Sequence, residues 1–167
     1  MNTTSTSIST AFYHFEQIRT RIAELVETIP REHLLTIPEG FSNNIAWHAA
    51  HVVVTQQLLV YGLSDVDFAI SQELVDRYRK GTTGVQATPE SFDEAMEFLM
   101  LAPVDLRRRY AAGEFTTFRE YRTSAGIDLS SFEDAILFNN IHEGIHLGYM
   151  MGVRKGLGGA MAEQSDD

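Results

Sequence analysis

The chain has 167 residues, 13 Lys and Arg against 23 Asp and Glu for a net charge of −10, six His and no Cys. One domain is expected at this length, and the missing thiols exclude a disulfide framework, a thiolate zinc site, an iron–sulfur cluster and a cysteine nucleophile. The acidic excess opposes nucleic-acid phosphates and anionic membrane surfaces, where binding is driven by Lys and Arg.

The first ten residues are polar and lack the basic start and apolar core of a secretory signal. No stretch approaches the roughly 20 apolar residues of a membrane span, so a soluble cytoplasmic protein is expected. From Ile8, apolar residues at Phe12, Phe15, Ile18, Ile22, Leu25, Val26 and Ile29 step by three and four, the mark of one helix face. Ser9 or Thr10 is placed to cap this first helix and Pro30 to end it. A second helix is predicted from a cap at Ser42 or Asn43, through Trp47, Val52 and Leu59, to Gly62.

Residues 63–88 read as a connection with a short helix over Ser71–Arg79 and a breaker at 80–84. A third helix starts at the Thr88 cap with Pro89 in its first position, and Pro103 is expected to kink or end it. Residues 113–129 are turn-rich, with extended chain expected over 115–121, and no alternation is long enough for a sheet. A fourth helix opens at Ser130 or Ser131 and runs to about Lys155, where Gly156 is expected to stop it. It is apolar on most sides, which predicts that it is buried. The expected fold is an all-α four-helix bundle, one domain over 1–160 followed by an acidic tail over 161–167.

Chemistry is most readily placed at the histidines. His48 with His51 and His142 with His146 are spaced so that each pair shares a helix face and can reach one ion. Each pair lies in a polar stripe, Asn44, His48, His51 and Thr55 on one helix and Asn139, His142, His146 and Tyr149 on the other. Two such stripes in apolar helices are costly unless they meet and satisfy each other or a common ion. The alternative is a set of neutral core histidines bonded to backbone or Asn. Imidazole is the commonest metal ligand and thiolate is absent, which favours a metal. His14 and His33 fall outside both stripes.

His142-Glu-Gly-Ile-His146 also spells the zinc-peptidase pattern, in which the Glu activates water. Tyr149 and Gly152 stand where its extended form needs Gly and His, and a downstream acidic ligand would have to be Glu163 in a Gly-rich tail. A small metallopeptidase therefore ranks below the bundle reading, in which Glu143 supports a ligand imidazole.

The segments Asn43-Asn-Ile-Ala-Trp-His-Ala-Ala-His51 and His142-Glu-Gly-Ile-His-Leu-Gly148, with the helix order around them, resemble the DinB-like superfamily of damage-inducible and related proteins. The resemblance implies an up-down-down-up bundle, usually a homodimer, with a divalent metal such as nickel or zinc on three His. Carried over by position, these are His51, His142 and His146, while His48, Glu143 and Asn44 become supporting groups or alternative ligands. Relatives include S-transferases using bacillithiol or mycothiol and an isomerase of maleylpyruvate. The implied function is a metal-dependent enzyme acting on a small molecule, with a low-molecular-weight thiol as its second cofactor if it is a transferase. The alternative is a non-enzymatic, metal-stabilised binding or stress-response module.

Overall fold

In a computed structural model, which describes residues 3–162, the chain forms four long helices and a short one. Helix α1 spans Thr3–Glu27, beginning ahead of the expected Ser9 or Thr10 cap because no Pro or Gly interrupts the residues before it. Helix α2, Ile45–Gln56, is capped by Asn44 in place of Ser42 or Asn43, its side chain accepting from the Trp47 amide at 2.8 Å. The chain continues as a π turn over Gln57–Tyr61 and a 3-10 turn over Gly62–Ser64, ending at Asp65 in the left-handed region.

The short α3, Gln72–Tyr78, falls within the expected 71–79 and is capped by Ser71, whose side chain accepts from the Leu74 amide. Helix α4, Pro89–Ala111, opens on a Thr88–Ser91 capping box and runs uninterrupted through Pro103. Proline has no N–H for the carbonyl four residues back, that of Leu99. Arg19 supplies the missing donor, its Nη1 lying 3.3 Å from the Leu99 oxygen, which removes part of the reason for the helix to break there. A two-residue hairpin follows, β1 Tyr121–Arg122 antiparallel to β2 Asp128–Leu129. Of the stretch 115–121, only Tyr121 is in a strand.

Helix α5, Phe132–Ala162, continues past Gly156, which is helical, and takes in the first two residues of the expected tail. The remainder of that tail, Glu163 included, lies outside the described residues. The expectation that this helix is buried on most sides is overturned. Leu137, Ile141, Ile145, Tyr149 and Met151 are exposed, whereas Asn139 and Glu143 lie in the core with Ala135, Ile136, Met150 and Val153. A bundle helix buries only the stripe its neighbours cover, and here polar residues hold part of that stripe.

Two apolar clusters show how the helices run. One gathers the end of α1 (Ile22, Leu25, Val26), the start of α2 (Ile45, Val52), the start of α4 (Phe92, Leu99) and the later part of α5 (Met150, Val153, Leu157). The other gathers the start of α1 (Phe12, Phe15), the residues after α2 (Leu59, Val60, Tyr61), the later part of α4 (Ala102, Leu106) and the start of α5 (Phe132, Ile136). Helices α1 and α5 therefore run one way and α2 and α4 the other, the expected up-down-down-up order. α1 and α2 each pack on α4 and α5.

Arg19 ties the four together. Its guanidinium donates to Val52 O on α2, to Phe98 O and Leu99 O on α4, and to the Glu143 carboxylate on α5 at 2.9 Å. Both charged groups are essentially inaccessible to water.

Candidate metal centre

Helices α2 and α5 bring three of the four paired histidines together. One ring nitrogen from each of His51, His142 and His146 lies within 4.8 Å of the others. Nitrogens sharing a tetrahedral zinc at about 2.1 Å sit roughly 3.4 Å apart, a difference that small side-chain rotations close.

The surroundings fix how these rings present their lone pairs. The Tyr78 carbonyl, 2.6 Å from His51 Nδ1, can only accept, so the proton sits on Nδ1 and Nε2 keeps its lone pair, 3.2 Å from the Thr55 hydroxyl. Trp47 stacks on the same ring at 4.4 Å and 10°, and its indole N–H donates to Thr82 Oγ1 at 2.9 Å. His48 Nδ1 lies 2.9 Å from His146 Nδ1. It is a hydrogen-bond partner of His146 and lies outside the three-nitrogen cluster. His142 Nδ1 is buried with no partner among the described residues.

Burial also keeps the cluster uncharged. It lowers His48 and His142 to about 4 and His146 to about 2, neighbouring imidazoles adding to the effect. His51 is lowered by burial too, against the opposing pull of the Tyr78 carbonyl. Neutral imidazoles, one oriented by a carbonyl and one with an unpartnered buried nitrogen, suit a divalent transition metal.

Two predicted neighbours are elsewhere. Asn44 caps α2, and its Nδ2 donates to Leu35 O and Gly84 O, both at 2.9 Å, so its side chain is spent on backbone and bonds none of the three histidines. Glu143 faces the core, where Arg19 and Asn139 hold it. Consecutive helical residues point about 100° apart, so placing His142 toward α2 turns Glu143 toward α1. The zinc-peptidase arrangement needs that carboxylate beside the ion, and here it is held by Arg19 and Asn139 instead. His14 is exposed on α1 and His33 is buried in the 3-10 turn Arg31–His33; neither joins the cluster.

The connection 63–88 supplies much of the site's backing, a role its weak periodicity did not show. Tyr78 holds His51, Thr82 holds Trp47, and Gly84 abuts the α2 cap so closely that a Cβ there would come 2.9 Å from the Asn44 nitrogen. His51 and His142 open onto a cavity of about 420 Å³ whose walls include Thr55, Leu58, Leu59, Leu63 and Phe138. No helix among the described residues is long and apolar enough to cross a membrane.

Comparison with known proteins follows the same lines. The family model described as the DinB superfamily matches residues 14–150, a span that takes in both histidine pairs. No curated protein matches the chain.

Proposed function

The chain belongs to the DinB superfamily, and from that premise we propose that it is a metal-dependent enzyme acting on a small molecule, with His51, His142 and His146 holding zinc or nickel. The observation that carries this reading is the cavity beside the histidines. A catalytic metal needs an open position and a shaped space next to it, whereas an ion that only ties two helices is served by a closed site.

When bound, the ion supplies Lewis acidity that lowers the pKa of a thiol or water brought to it. The chain's own groups do the rest. Tyr78 and His48 hold two of the imidazoles in place, and Thr55 offers a hydroxyl that lines the cavity. Leu58, Leu59, Leu63 and Phe138 give the space apolar walls. Without a cysteine the protein must import any sulfur it uses. We therefore favour S-transfer from a low-molecular-weight thiol of the bacillithiol or mycothiol kind, in a cytoplasmic setting that keeps thiols reduced.

The test is thiol-dependent conjugation of monochlorobimane across several small thiols. Catalysis by the wild type that disappears in a folded His146→Ala variant supports the proposal. Absence of catalysis with every thiol overturns the transferase assignment. Loss of several kcal/mol of stability in His146→Ala, with no activity in either protein, favours the structural-metal module.

The homodimer implied by the resemblance has a matching surface. Leu137, Ile141, Ile145 and Tyr149 make an exposed apolar stripe along α5, and Gly144 and Gly148 beside it have open space where a side chain would be. We propose that a second copy of the chain covers it.

A further inference from the structure

The cavity beside the histidines has an unusual rim for so acidic a protein. Lys80, from the turn after α3, and Arg119, from the segment before β1, both line it and are exposed. Most cations here are already paired with carboxylates, Arg77 with Glu73, Arg109 with Asp105 and Arg122 with Asp128 among them. Lys80 and Arg119 have no ion pair among the described residues, a condition shared only by Arg154 and Lys155 on the far part of α5. Glu120 is the one carboxylate lining the same cavity, which leaves the rim with a single net positive charge.

The position of Arg119 is built. Its amide donates to Leu63 O at 2.6 Å, and Thr117 Oγ1 donates to Ser64 O at 2.9 Å, fixing this otherwise irregular segment to the end of the chain that leaves α2. The cavity thus joins two exposed cations to apolar walls, Leu58, Leu59, Leu63 and Phe138, and to His51, His142 and Thr55.

We propose that this cavity binds small amphipathic carboxylates, the apolar body against the leucines and Phe138 and the carboxylate on Lys80 and Arg119. That this ligand is the substrate rests on the enzymatic reading above; that the pocket selects for it does not. A guanidinium and an ammonium favour the anion by charge-assisted hydrogen bonds, and a preference of about tenfold is expected at a solvent-screened rim.

Calorimetric titration of matched probes, octanoate against octanamide and 4-phenylbutyrate against 4-phenylbutanamide, tests it in chelator-treated and zinc-loaded protein. The expected result is about tenfold tighter binding of each carboxylate in both forms, falling to near parity in Lys80→Met/Arg119→Met while the amides bind as before. Because both residues are exposed, the double variant should fold normally. The same preference in that variant, a preference seen only with zinc present, or no binding of either probe pair overturns the proposal. A preference that persists in protein unable to take up zinc leaves this inference standing and removes the metal-enzyme reading.

Discussion

His48 reaches the metal centre only through His146, and that arrangement makes its contribution separable. A group that orients a ligand imidazole typically accounts for about 10- to 100-fold in metal affinity. His48→Ala should weaken zinc binding by that factor in a chelator competition, whereas His14→Ala, on an exposed face, should not change it. Arg19 and Glu143 make a second residue-scale case. Removing one partner of a buried pair strands the other charge, so Glu143→Gln or Arg19→Met should cost about 3–5 kcal/mol in chemical denaturation, with much of it recovered in the double variant. The sequence exposed the histidines because spacings of three and four are local. It hid the Arg19–Glu143 pair, whose members lie 124 residues apart, and with it the direction in which Glu143 points.

At the scale of elements, α2 depends on a cap that also anchors the turn behind the site. Asn44→Ala removes the bond to Trp47 and both bonds to the turn carbonyls, and should destabilise the protein by about 1–2 kcal/mol by thermal or chemical unfolding. Helix α5 carries the other element-scale prediction. Ile145→Glu places a charge in the exposed apolar stripe, and sedimentation should show a wild-type dimer and a monomeric variant. The positions of the long helices were legible from their period, and the Thr88-Pro89 start from cap chemistry. The continuation through Pro103 was not, because the donor that satisfies Leu99 comes from another helix. The exposed face of α5 was also missed, since hydrophobic content alone does not say which side its neighbours cover.

For the whole molecule, the two ends of the bundle divide the work. The cluster around Ile45, Leu99 and Met150 supports the helices that carry the histidines, while irregular chain from 63–88 and 113–124 closes the sides of the cavity. Such segments lack a period to read, so the all-α bundle and the grouping of His51, His142 and His146 were visible in advance but the walls of the pocket were not. The central claim is that His51, His142 and His146 hold one divalent ion. Elemental analysis of untagged protein, before and after incubation with zinc or nickel, tests it most directly. About one equivalent per chain is expected, lost in His146→Ala. Less than about a tenth of an equivalent, unchanged by added metal, would contradict it.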